Sequence, residues 1–125
     1  MLLFSLFIIA CSSNSTEQFI RTWSGDINCT GDETPVDFLI TLGADDDSLL
    51  ITIDDGDEPI LIDANADGDN FTMETTTITE DEYVTEFDGT GSINSEGNLI
   101  VFLNVRFFED GQLVVTGTCT AVLAQ

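Results

Sequence analysis

The segment from Asp63 to Glu74 carries the most specific spacing of chemical groups in the chain. Asp63, Asn65 and Asp67 stand at alternate positions, Gly68 follows, and Glu74 closes the window. This is the ligand order of a calcium-binding loop, in which oxygen donors surround the ion and glycine permits a sharp turn. A loop of that type lies between two helices, yet Pro59–Ile62 before it and Thr75–Thr77 after it read as strands. If the chain from Phe71 onward is extended, Glu74 lies about 16 Å past Asp69 at roughly 3.3 Å per residue. An ion held at about 2.3–2.6 Å cannot use both. The spacing therefore predicts a hairpin turn. A weaker, turn-borne calcium site on Asp63, Asn65, Asp67 and Asp69 is the residual metal reading.

The remaining residue types exclude more chemistry than they permit. The chain of 125 residues holds 24 Asp and Glu, no His, and two basic residues, Arg21 and Arg106, for a formal charge of -22. Without imidazole there is no His-based acid–base or triad mechanism, and without lysine no Schiff base or P-loop. Nucleic acid is excluded as a partner, because its phosphates need cations to displace condensed counterions. Carboxylate pairs for glycoside hydrolysis could be drawn almost anywhere, and that abundance selects none of them. The sequence reads as non-enzymatic.

Leu2 to Ala10 is an apolar run interrupted only by Ser5. It is too short to span a bilayer, which takes roughly 20 residues, but it suits the apolar region of an export signal. The run ends in Ile8-Ile9-Ala10-Cys11, which resembles a bacterial lipobox. The resemblance implies cleavage before Cys11, lipidation of Cys11, and attachment to the cell envelope, with the outer membrane as the expected site. Residues 1–10 are then a signal peptide, and residues 11–18 a lipidated Cys and a flexible polar tether. Residues 19–125 are a single folded domain. With Cys11 given to lipid, Cys29 and Cys119 remain as one even pair in an oxidising compartment, and a disulfide between them is expected.

The elements that would carry these groups are strands. Phe19, Trp23, Ile27 and Cys29 alternate with polar residues and are read as one strand face, as are Val36, Phe38, Ile40 and Leu42. The same period continues through Leu49–Ile53, Ile60–Ile62, Phe71–Met73, Tyr83–Ile93, Leu99–Phe107 and Leu113–Leu123. Period two predicts half-buried antiparallel strands, and Thr30-Gly31-Asp32, Ala66-Asp67-Gly68-Asp69 and Asp110-Gly111 supply turns between them. The predicted fold is all-β, an antiparallel up-and-down meander of about eight strands. It forms a small closed or nearly closed barrel, with the cysteines stapling its first and last strands. Trp23, Phe38, Phe71, Tyr83 and Phe87 on the inner face are expected to fill much of the interior.

The folded region resembles the small lipocalin-like lipoproteins of Gram-negative envelopes. The likeness rests on Trp23-Ser24-Gly25, on Gly89-Thr90-Gly91, and on a Cys near the end of the chain. It implies fold and location and attaches no ligand.

Because alternate turns of a meander lie at opposite ends, the acids divide between two rims. Asp54, Asp55, Asp57 and Glu58 belong to the denser rim and are the candidate acidic binding surface. Ile100, Phe102 and Phe108 form an apolar stripe on the outer face of one strand, which marks either a partner contact or a surface covered by the N-terminal segment. The expected function is a lipid-anchored, monomeric binding or interaction module that takes a cationic protein or a small apolar ligand. The alternatives are an inhibitor of a cationic hydrolase such as lysozyme and a calcium-binding module.

Overall fold

The computed structural model describes residues 16–125; Cys11 and the apolar run before it lie outside them. A 3-10 turn at Glu17–Phe19 leads into eight strands. These are β1 (Arg21–Cys29), β2 (Asp32–Leu42), β3 (Ser48–Asp54), β4 (Ile60–Asp67), β5 (Asn70–Glu80), β6 (Tyr83–Ile93), β7 (Leu99–Glu109) and β8 (Gln112–Ala124). Each pairs antiparallel with the next, and β8 returns to β1, closing the barrel. The all-β meander read from the alternation is therefore the fold.

The hairpin chemistry explains the order. Thr30 and Gly31 join β1 to β2 with φ of 54° and 93°, and Asp110 and Gly111 join β7 to β8 at 53° and 80°. Positive φ at both central residues is the turn whose twist matches paired strands. At the β4–β5 turn only Gly68 has positive φ (63°), between the paired residues Asp67 and Asn70. The Asp63–Glu74 segment is accordingly a strand, a two-residue turn and a strand.

The core is concentrated at one end, which we call the closed end. Trp23, Phe19, Phe38 and Phe71 are fully or almost fully buried there. The Trp23 indole Nε1 donates to the Phe19 carbonyl at 3.1 Å, and Phe19 meets Phe71 edge to face at 5.1 Å. Arg21 lies 5.3 Å above the Trp23 ring. The tether read as ending at Gln18 ends sooner. Thr16 is buried, its carbonyl accepts from Phe19 N–H at 3.0 Å, and Gln18 Nε2 donates to the Gly68 carbonyl at 2.6 Å. Phe19 carries this turn across the barrel end, its ring fully buried against Phe71 and its carbonyl accepting from the Trp23 indole.

The eight strands do not end together. β1 meets β8 only from Ser24–Ala124 to Cys29–Cys119, so Gln112–Thr118 of β8 continue beyond the β1–β2 turn. β4 meets β5 only through Ala64–Asp67, and β5 runs on past a register shift between Met73 and Thr76. The β5–β8 half therefore projects past the β1–β4 half as a curved four-stranded wall. It overhangs the second, open end.

Candidate functional site

The open end holds an apolar cavity of about 500 Å³, within the range of small-molecule pockets, roughly 300–1,000 Å³. Its floor is the underside of the core, with Ile27, Ile62, Leu103 and the Cys29–Cys119 disulfide. Its wall is formed by Phe87, Val105 and Val115 from the projecting half and by Val36, Ile53 and Ile60 from the shorter half. Asp55 and Thr30 stand at the mouth.

The aromatics expected to fill the interior do so at one end only. Trp23, Phe38 and Phe71 close their half, whereas Phe87 is half-buried on the cavity wall and Tyr83 is 40% exposed above it. The physical reason lies in the neighbours. Phe71 packs over Gly91, its register partner, where a β-carbon would come within 2.1 Å of the ring. Phe87 faces Val105 across the strands and has no large ring opposite. Leu42, assigned to the inner face, is 64% exposed because its position falls at the end of β2.

Above the cavity the projecting wall continues as a shallower recess of about 300 Å³, lined by Ile78, Glu80, Asp81, Tyr83, Thr85 and Phe107. Thr85 lines both spaces. The Tyr83 and Phe107 rings stack with centroids 5.6 Å apart and planes 18° from parallel. Tyr83 is the register partner of Glu80 on one side and of Glu109 on the other. Directly opposed residues share a face, so two carboxylates flank the phenol ring on the concave side. This grouping was not singled out from the sequence. Its signal is Glu80 and Tyr83 either side of a two-residue turn, which places them in register.

The other predicted positions are dispersed. Cys29 and Cys119 are joined by a disulfide, with Cα atoms 4.2 Å apart, and face each other in register. Asp54, Asp57 and Glu58 are exposed around the β3–β4 connection. There Asp54 Oδ1 accepts from Gly56 N–H at 3.0 Å and Asp55 Oδ1 from Asp57 N–H at 3.2 Å. The calcium reading is corrected. Asp63, Asn65 and Asp67 lie along the outer face of β4, and only Asp69 is in the turn. Alternate strand residues are about 6.6 Å apart along the chain, so Asp63 and Asp67 are about 13 Å apart and cannot share one ion. Glu74 instead receives a hydrogen bond from Asn65 Nδ2 across the hairpin at 3.4 Å. Among the described residues no three His, Cys, Asp or Glu side chains are grouped to hold a metal.

On the outer surface, Arg106 joins β7 to β6. Its Nε donates to Glu86 at 3.0 Å and its Nη2 donates to Asp88, which also accepts from Asn104 at 3.0 Å. The guanidinium beside Asp88 holds that carboxyl below its ordinary range, with the Asn104 amide as the next cause. The outer stripe is present in part: Phe102 is 49% exposed, while Ile100 and Phe108 are half-buried.

Compared with protein-family models, curated proteins and solved structures, the chain matches none, and the site is read from its own residues.

Proposed function

We propose that this protein is an exported, lipid-anchored β-barrel that binds a small apolar molecule in its open end. One observation carries the reading: an apolar cavity of about 500 Å³ remains in a barrel whose opposite end is packed solid. Eight strands enclose just enough width for side chains or one small ligand, and here the two uses divide the barrel between them. The disulfide on the cavity floor agrees with an oxidising compartment, and the lipobox-like Ile8–Cys11 segment supplies the anchor. The role is binding without catalysis. The cavity lining is mainly apolar, its polar members being threonines and Asp55, and the sequence offers neither His nor Lys for proton or acyl transfer.

Titration with the neutral apolar fluorophore N-phenyl-1-naphthylamine tests this. Saturable one-to-one binding is expected, and Val105→Trp, which fills the cavity from its wall, should abolish it while leaving the far-ultraviolet spectrum intact. Unchanged binding in Val105→Trp would reject the cavity as the site. The anchor is tested separately, since Cys11→Ser should stop fatty-acid incorporation and release the protein from membranes.

A second reading, inhibition of a basic hydrolase, draws on the acidic rim that includes Asp54, Asp55, Asp57 and Glu58. It requires a partner whose capture weakens strongly between 0.15 M and 1 M salt, where the screening length falls from about 8 Å to about 3 Å.

A further inference from the structure

The cavity and the recess above it share Thr85 in their linings, and their chemistry differs. Ile27, Ile62, Leu103 and Val105 make the deep part apolar, while the outer part presents Tyr83 and Phe107 with Glu80, Asp81 and Glu109 around them. From Leu103 to Glu109 the wall rises six residues, roughly 20 Å at 3.3 Å per residue. A surface of that length and gradient matches an elongated amphiphile better than a compact apolar molecule.

We infer that the ligand is a cationic amphiphile, its apolar body in the cavity and its alkylammonium head against Tyr83 between Glu80 and Glu109. This rests on the cavity being the binding site, as proposed above. The sign of the head group follows from three observations. First, the face of an aromatic ring attracts a cation within about 6 Å, and a stacked Tyr83–Phe107 pair bordered by carboxylates adds charge to that attraction. Second, neither arginine enters the mouth. Arg21 lies over Trp23 at the closed end, and Arg106 is engaged by Glu86 and Asp88 on the outer face. Third, an anionic head would meet Asp55, Glu80, Asp81 and Glu109 with no basic side chain among the described residues to receive it. A metal ion is the wrong cation here. Two rings contribute no ligating oxygen pair, and the acids around them are not grouped for coordination.

The test uses the full chain carrying Cys11→Ser, so that no attached lipid contributes background. Decyltrimethylammonium, decyl maltoside and decyl sulfate share one tail and differ in head charge. Each is titrated against bound N-phenyl-1-naphthylamine below its micelle concentration, with displacement as the readout. The trimethylammonium compound should bind at least tenfold more tightly than the maltoside, and the sulfate most weakly. Glu80→Gln with Glu109→Gln should reduce the cationic ligand to the maltoside level, and Tyr83→Leu should narrow the gap between the two ligands. Equal affinity for the three heads, or a cationic preference that survives both variants, would overturn the head-group assignment alone. Failure of all three to displace the fluorophore would overturn the cavity reading on which it rests.

Discussion

Cys29 and Cys119 face each other at the last paired position of the β1–β8 seam, and their disulfide forms part of the cavity floor. The seam is thus stapled at the level where the barrel stops being filled and begins to open. Beyond it β8 continues alone against β7, which lets the wall overhang the mouth.

Removing the staple should cost stability in proportion to the loop it closes. The bridged residues are 90 apart, and the chain-entropy model assigns such a loop about 4–5 kcal/mol. The double variant Cys29→Ser with Cys119→Ser should lose most of that in urea denaturation, with folding retained at low temperature. Peptide mapping without reductant that recovered both residues as free thiols would contradict the seam.

Gly91 is constrained by Phe71, since a β-carbon there would lie 2.1 Å from the ring tip and 2.6 Å or less from its neighbouring atoms. Gly91→Ala should destabilise the barrel by about 1–3 kcal/mol, the usual cost of overpacking. Phe71→Leu in the same background should recover part of that loss. If Gly91→Ala melts with the parent, the closed end is not packed as described.

Acid should act through Asp88. Its carboxyl is held below the ordinary range in the folded state, first by the Arg106 hydrogen bond and then by Asn104. A depressed folded value contributes stability that is present above the unfolded value, about 3.9 for Asp. That contribution is lost as pH falls through this value and below it. The stability difference between the parent and Asp88→Asn should therefore be constant near neutrality and shrink below about pH 4. Urea midpoints measured across that window decide the matter, and a difference that grew with acid would contradict the assignment.

Calcium should not stabilise the protein specifically. Asp63, Asn65 and Asp67 are spread along β4, so calcium and sodium chloride at equal ionic strength should shift the melting temperature equally. A calcium-specific rise, produced by mass action at a selective site, would restore the metal reading.

Much of the architecture is legible in local pattern. The alternation through Leu99–Leu103 and Cys119–Leu123, with Asp110-Gly111 between them, marks a hairpin and its buried face. The same period misplaces Leu113 and Val115, which are 54% and 56% exposed, and a register shift after Phe107 pairs Leu113 with the outward Phe108. Cys29 and Cys119 on the inner register of the outermost strands identify the seam. The site was less legible because it depends on where strands stop pairing. Phe71 and Phe87 occupy equivalent inward positions, and only the register across β5, β6 and β7 puts one in a packed end and the other on a cavity wall. The shift between Met73 and Thr76, which re-phases the inward face of β5, has no marker in a run of threonines. The burial of Thr16 is similarly hidden, since it follows from Phe19 reaching across the barrel end.

The most direct test of the central claim is chemical-shift mapping of the isotopically labelled protein during titration with decyl maltoside, a neutral ligand that does not depend on the rim charge. The cavity reading predicts saturable changes at Phe87, Leu103, Val105 and Cys119, with Trp23 and Phe38 at the packed end unmoved. Changes confined to exposed outer positions such as Leu61, Phe102 and Val122, growing linearly with ligand, would contradict it.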